Sequence, residues 1–535
     1  MKMNFKKNLT YPNQKKNLLV AILFFVFTGG LFAYNFSADE ETGPFQEEQR
    51  NVVIYDNLSN YDLNPHTASF TSEAQILTGL YEGLFSYDPV TLEAIPAICT
   101  SYKISRDKKR WTFTLRENAK FSDGSLITAQ TIRDSWISLL ENKNAPFASM
   151  IDFISGAKEF RNGLTSAENV KIEVRDEHTL VVRLDECAAH FPKLLCHHAF
   201  AAVSKNPNVY SGAFYLESYQ SNTLIMRKNF NYWGSSGVLI PGIIVVQSDD
   251  YEENAYNFNV GKADWITGNA NVQKIINKNS IQVSAAFGTT YLFFKINNEP
   301  WDKKEIRNAL LEAIPYENLR SKYSVPATTL VYPLAGYNSV IGLDEYDEKE
   351  ALEMMKLARE KYEIPQDERL SLVFACTTDS FQNDWAQILK QAWEPLGVDL
   401  IVQTTSPYLY NSSIPSWNAD LFTYSWIGDF ADPLAFLELF RSDSSLNVAH
   451  YKNSDFDNAL IEASRCDSVL EQYKFLGKAE QNLLDDGMII PIMHPVELHI
   501  IDLLMIGGWQ TNALDIHPLK YLFIKHKNLK LPNMI

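Results

Sequence analysis

Between residues 371 and 402 the chain reads "SLVFAC", then "NDWAQILKQAW" at 383–393, then "VDLIV" at 398–402 after Pro395 and Gly397. The first and last segments are short, apolar and β-prone, and the middle one has its large apolar residues at helical spacing. A strand, a helix and a second strand in this order predict two parallel strands joined by a right-handed crossover. That unit places the chain in the α/β class.

The remainder carries further strands and amphipathic helices. "NVVIY" at 51–55 opens the folded region after an acidic linker at 38–50 containing Pro and Gly. "SEAQILTGLYEGLF" has helical periodicity, with Ser72 as its expected N-cap. "RWTFTL" alternates Trp111, Phe113 and Leu115 as a half-buried strand does. After an Asp-Gly turn, Thr128 is the expected cap of a helix that places Ile132, Trp136 and Leu139 or Leu140 on one face. "TLVVRL", "TLIMRK", "TTYLFFKIN" and "ADLFTYSW" read as strands, and "KKEIRNALLEAI" as an amphipathic helix. There is no internal repeat or heptad array, so solenoids and coiled coils drop out.

A chain of 535 residues with 46% hydrophobic content has material for more than one compact unit. It carries 48 Lys and Arg against 65 Asp and Glu, a net charge of −17. Such a surface repels phosphate backbones and attracts cations, which argues against a nucleic-acid partner. Five lysines precede "LLVAILFFVFTGGLFAYNF", so residues 1–37 are expected to be an export signal or an uncleaved N-terminal anchor. Without the first 33 residues the balance is 43 against 65, or −22.

Five cysteines leave at least one thiol unpaired in a monomer. Cys187 and Cys196 are close enough in sequence to bridge, and the spacing does not decide it. They share "CAAHFPKLLCHH" with His190, His197 and His198, but neither C-x2-C nor H-x3-H occurs there, and packing is the expected role rather than metal binding.

"YSWIGDFADPLAFLELF" (424–440) carries two aspartates into an otherwise apolar run. Asp432 precedes Pro433 and a helical run, the pattern of an N-cap followed by proline at the first helical position. Asp429 lies just past the carboxyl end of a strand, where open α/β sheets place ligands. Beside Trp426, Ile427 and Phe430 its carboxylate is costly to desolvate unless a cation pairs with it, and an arriving ammonium would do so. The alternative is a turn residue bonding its own backbone. Catalytic signatures are missing: no G-x-S-x-G, H-E-x-x-H, P-loop or dinucleotide glycine fingerprint occurs. In "HPVELH", His494 and His499 are five apart and do not share a helix face, so a strand is expected there.

Several stretches, in order along the chain, resemble the extracytoplasmic solute-binding proteins of peptide ABC importers, the oligopeptide and dipeptide type. They are "LNPHTASFTSEAQILTGLYEGLFSYDP", "WTFTLRENAKFSDGSLITAQTIRDSW", "GAFYLESY", "MRKNFNYW", "FKINNEPWDKKEIRNAL" and "SDSSLNVAHYKNSDFDNALIEA". The resemblance runs from about residue 51 to the C-terminus. It implies a two-lobed periplasmic-binding-protein clamp with an additional third domain. Lobe one would comprise 51–82, 206–285 and 496–535, the additional domain 83–205, and lobe two 286–495. It also implies a peptide or peptide-like ligand held between the lobes, an inner-membrane ABC permease as partner, a monomer in the periplasm, and neither cofactor nor catalysis. In relatives with W-x-x-D at this place the aspartate receives the ligand's ammonium, which carries that role to Asp429, with Trp426, Ile427 and Gly428 beside it. The stretch Ser69, Phe70, Thr71 matches the place where lobe one meets ligand.

Three positions depart from the family pattern. Ser69 stands where an acid is frequent, no basic residue precedes Trp426 in "LFTYSW", and Phe381 stands where a basic side chain can occur. A free peptide carboxylate would need another partner, which leaves open a blocked, longer or unusual peptide, glutathione, a metal chelate or haem. An exported enzyme acting on peptides or their conjugates, and a sensory or surface binding protein without a permease, are the other functional readings.

Overall fold

The computed structural model describes residues 50–525 apart from 59, 189, 338, 339, 379, 429, 431 and 467. The expected export segment 1–37 and Asp429 lie outside the described residues. Three sheets organise the rest.

The first sheet has seven strands in the order Ile281–Ala285, Val496–Ile501, Trp265–Ile266, Val52–Asp56, Gly242–Gln247, Thr223–Lys228, Phe214–Gln220. Val52–Asp56 runs parallel to both Gly242–Gln247 and Trp265–Ile266, and the other pairings are antiparallel. Its alternation places Val52 and Ile54 in a cluster with Leu77, Leu80, Phe214 and Trp265.

The second sheet has five strands, Val398–Thr405, Leu370–Thr377, Leu421–Ile427, Gly288–Phe294 and Ile489–Met493. Leu370–Thr377 and Val398–Thr405 pair in parallel from Leu370↔Val398 to Thr377↔Thr405, and the helix Ser380–Trp393 connects them. That helix buries Trp385, Leu389 and Trp393, four residues apart on one stripe. The turn into the second strand uses Gly397 at φ 76°, where a Cβ would be strained. All seven residues of Gly288–Phe294 are buried, as befits a strand covered on both faces.

A third sheet of four antiparallel strands, Cys99–Ile104, Arg110–Leu115, Thr179–Arg183 and Ile172–Asp176, packs with the helix Ala129–Glu141. Thr128 caps that helix by accepting from the Thr131 N–H at 3.3 Å, and Trp136 is fully buried. Apolar contacts run without a break from this sheet into one face of the second sheet, through Phe147, Phe191, Trp426, Phe430 and Phe436. The other face of the second sheet has a separate cluster around Trp301, Leu310, Trp385 and Trp393.

The first helix corrects one expectation. It spans Thr71–Leu80 with Phe70 at the cap position, so Ser72 lies in the first turn and donates to Asp56 Oδ1 at 3.1 Å. Glu73 does the capping: its carboxylate accepts from the N–H groups of Asp62, Ser69 and Phe70 at 2.7, 2.8 and 3.0 Å. An ionised acceptor reaching three otherwise orphaned donors outcompetes a hydroxyl. None of the five cysteines is in a disulfide, and the thiols of Cys187 and Cys196 donate to the carbonyls of Asp107 and Pro192.

Candidate functional site

Strand direction decides where side chains can converge. Val52–Asp56 and Trp265–Ile266 run parallel, so Asp56 and Thr267 lie together at their carboxyl ends. Val496–Ile501 runs the other way, with Ile266 opposite Ile500, so its beginning, Glu497 to His499, extends past the same end. This is the edge at which open α/β sheets bind ligands. A cavity of about 380 Å³ opens there, and Thr71, Ser72 and Ile427 contribute to its lining.

Of the residues expected at a ligand site, Thr71 and Ile427 line this cavity. Ser69 is exposed, Phe70 is half-buried, and both give their N–H groups to Glu73. The Trp426 ring is 8% exposed, stacks on Tyr424, and donates its Nε1–H to the Ala435 carbonyl at 2.9 Å. Gly428 is buried, and its N–H donates to the Phe287 carbonyl at 2.8 Å. A Cβ at Gly428 would come within 2.8 Å of the Phe287 ring, so the close approach requires glycine. Asp432 accepts from the Leu434 N–H at 2.9 Å, and the short helix after it begins at Leu434, one residue beyond Pro433. Burial pushes the Asp432 carboxyl up to about 6, partly offset by that hydrogen bond.

The cavity is acidic. Asp56, Glu497 and Asp515 line it, and no Lys or Arg appears among its described lining residues. Asp56 accepts from Tyr61 Oη, Ser72 Oγ and Thr267 Oγ1 at 2.6, 3.1 and 2.5 Å. Asp515 accepts from the Nε2 atoms of His499 and His517 at 2.7 and 3.3 Å. Burial works against the Asp515 charge, but the two imidazole hydrogen bonds outweigh it and hold this carboxyl below its usual range. Glu497 moves the other way, raised first by burial and then by the neighbouring Asp515 charge.

Sequence reasoning noticed Glu497 and His499 but missed Asp515 and His517. The local signal was the D-x-H of "LDIH", which means little until the chain end folds back beside the first helix. Gln75 fixes that contact, accepting from the His517 N–H at 2.9 Å and donating to its carbonyl at 2.5 Å.

His499, Asp515 and His517 offer ligand atoms within 4.8 Å of one another, close enough to test as a metal set. The hydrogen bonds argue otherwise. Trp265 Nε1–H, a donor only, points at His499 Nδ1 at 3.1 Å, so that nitrogen is the acceptor and Nε2 carries the proton given to Asp515. A metal at Nε2 would have to displace that proton while the indole holds Nδ1. The same pairing occupies both nitrogens and leaves His499 none with which to act as a general base.

The comparisons agree with this architecture. The family model described as "Bacterial extracellular solute-binding proteins, family 5 Middle" matches residues 93–447. The periplasmic oligopeptide-binding protein OppA of Salmonella typhimurium is 25% identical over 523 residues, 92% of this chain and 95% of its own length. The periplasmic murein peptide-binding protein MppA of Escherichia coli is 26% identical over 529 residues, 92% and 96% of the two chains. A solved structure of that murein tripeptide-binding protein superposes with a TM-score of 0.79 at 24% identity, covering 90% of this chain and 99% of that one. Its unliganded open form gives 0.63, so the arrangement described here lies nearer the former. Haemophilus influenzae OppA in complex with the peptide RPPGFSPFR gives 0.78 at 20% identity, covering 89% and 99%. The fold is thus that of a two-lobed α/β clamp with an additional domain, and the chain belongs to the bacterial extracellular solute-binding proteins of family 5.

Proposed function

We propose that this protein captures peptide-like solutes bearing a positive group between two lobes and delivers them unchanged to an ABC permease of the inner membrane. Lobe one comprises 51–82, 206–285 and 496–535, the additional domain 83–205, and lobe two 286–495. The division is supported by three sheets that each draw their strands from one of these sets. The protein acts in the periplasm as a monomer, either released or held by residues 1–37, and its net charge of −17 disfavours nucleic acid.

The observation that carries the reading is the cavity where Thr71 of lobe one and Ile427 of lobe two meet, lined by three carboxylates and by no Lys or Arg among its described residues. Carboxylates with no Lys or Arg beside them among the described lining residues favour a ligand that brings a cation. Asp429, two residues past Ile427, receives the ligand's amino terminus. Trp426 and Gly428 shape the loop that presents it, and Ser69 and Phe70 meet ligand from the opposite lobe. The similarity to an oligopeptide-binding and a murein peptide-binding protein supports a peptide as the class.

Gentle purification followed by native mass spectrometry tests the proposal, together with titration by a defined peptide mixture. Expected are one bound peptide per chain and recovery of that peptide intact. Cleavage of the mixture would favour an exported peptidase, and the absence of any peptide binding would overturn the proposal.

A further inference from the structure

A second cavity, of about 530 Å³, is larger than the first and lies between the third sheet and the elements that follow Trp426. One wall is made by Tyr102 and Trp111, stacked at 5.5 Å and 24°. The facing wall includes Phe430, against which the His190 ring lies parallel at 5.4 Å and 8°. Ile104 and Val469 stand at the lining 45% and 59% exposed, so apolar surface continues outward to solvent. Volume and aromatic walls match small-molecule sites, which are concave, mostly apolar and supplied with a few polar groups.

Arg441 is such a polar group. Its guanidinium faces Asp443, Glu186 and Glu438 at 3.4, 3.6 and 3.6 Å, ion-pair distances longer than a good hydrogen bond. Among the described residues it donates no hydrogen bond, so its charge is balanced while its N–H groups are unspent. In the same wall Trp111 Nε1 is buried with no acceptor among the described residues. Beside Arg441 an anionic guest would meet the carboxyl groups of Glu186, Glu438 and Asp443, while Arg106 and Lys108, which also line the cavity, lie exposed to solvent. A cationic guest would have to leave water for an apolar chamber. Burial also favours the uncharged forms of the flanking groups, pushing Glu438 up to about 7 and His190 down to about 4.

We propose that this cavity is a second ligand site, separate from the inter-lobe one, for an uncharged ring compound carrying an oxygen acceptor that takes a hydrogen bond from Arg441. Rings stack between the Tyr102 and Phe430 walls, and a carbonyl or hydroxyl oxygen reaches the guanidinium. Phe430 and Ile427 are three residues apart, so the same short segment borders both cavities.

The test uses the full chain and the neutral fluorescent ketone 6-propionyl-2-(dimethylamino)naphthalene, with 2-(dimethylamino)naphthalene as the analogue without oxygen. Expected are saturable one-to-one binding with a blue-shifted emission and at least tenfold weaker binding of the analogue. Ser464→Phe and Gln472→Trp fill the cavity from two half-exposed positions, and each should weaken the ketone at least tenfold. Far-ultraviolet circular dichroism checks folding, and if one variant does not fold the other decides. Thr71→Trp, which narrows the inter-lobe cavity, should leave ketone binding unchanged. The proposal is overturned if the ketone does not bind, if it binds both filled variants as tightly as the parent, or if Thr71→Trp removes its binding.

Discussion

The two cavities are bordered by one segment, yet they differ in almost every chemical respect. The inter-lobe cavity sets Asp56, Glu497 and Asp515 at strand ends with no Lys or Arg among the described lining residues. The other sets rings around the Arg441 guanidinium, which Glu186 and Glu438 balance, with Arg106 and Lys108 exposed to solvent. Neighbouring backbone therefore does not dictate what a cavity accepts. The difference comes from which side chains the strand ends deliver and whether their charges are matched within the chain.

Reversing one charge should separate the two most sharply. Glu497→Lys places a cation among the remaining carboxylates and should cost a lysine-containing peptide about a hundredfold in affinity, roughly 3 kcal/mol. Calorimetric titration reads it, and the naphthyl ketone should bind the variant as it binds the parent. A comparable loss for both ligands would mean that the cavities are not independent.

The segment they share offers the converse. Gly428→Ala drives a methyl toward the Phe287 ring, at 2.8 Å before relaxation. Overpacking of this kind costs roughly 1–3 kcal/mol and should shift the segment bordering both cavities. A lowered melting temperature with several-fold weaker binding of both ligands is expected. Unchanged binding of either would show that its cavity does not depend on this segment.

A smaller effect follows from pH. Burial and the Asp515 charge raise the Glu497 carboxyl to about 7. Its folded value is above the unfolded one, so below about pH 4.5 it imposes no penalty on the fold, and stability falls as pH rises toward 7. Binding runs oppositely, because the ionised form attracts a cation. Lysine-peptide affinity should rise several-fold between pH 5.5 and 8.5 in the parent and stay flat in Glu497→Gln, whereas a flat profile in both would remove Glu497 from the ligand's surroundings.

The smallest expected change in ligand affinity is a comparison with Glu480. This carboxyl is also raised by burial to about 7, but it is committed to the Val331 N–H and Tyr337 Oη at 2.8 and 2.7 Å. Glu480→Gln should raise stability at pH 8 by roughly 1–2 kcal/mol and leave both affinities unchanged. Denaturant unfolding measures the first and titration the second. A change in affinity would show that raised carboxyls act on ligands without touching them.

The architecture was legible wherever local pattern sufficed. The strand, helix, strand unit at 371–402 and the Thr128-capped helix follow from spacing and cap chemistry within a few residues, and both are present. Ser72 was misread because a hydroxyl at the right offset looks like a cap, while the competing Glu73 works only once Asp62 and Ser69 fold over it. The acidic cavity was half legible. "HPVELH" supplied Glu497 and His499, but Asp515 and His517 join them through the return of the chain end to Gln75, across 442 positions. Such closure has no local period to betray it. The second cavity had no sequence signature, since one wall comes from the third sheet and the other from the loop and helices that follow Trp426, far along the chain.

The measurement closest to the central claim is calorimetric titration of a peptide with a free amino terminus, and of its N-acetylated twin, into the parent protein and into Asp429→Asn. A carboxylate that pairs with the ligand's ammonium predicts a loss of tenfold or more for the free peptide in the variant. Acetylation should weaken binding to the parent and make almost no difference to the variant. Equal losses for both peptides, or none, would contradict the account and leave Asp429 a turn residue.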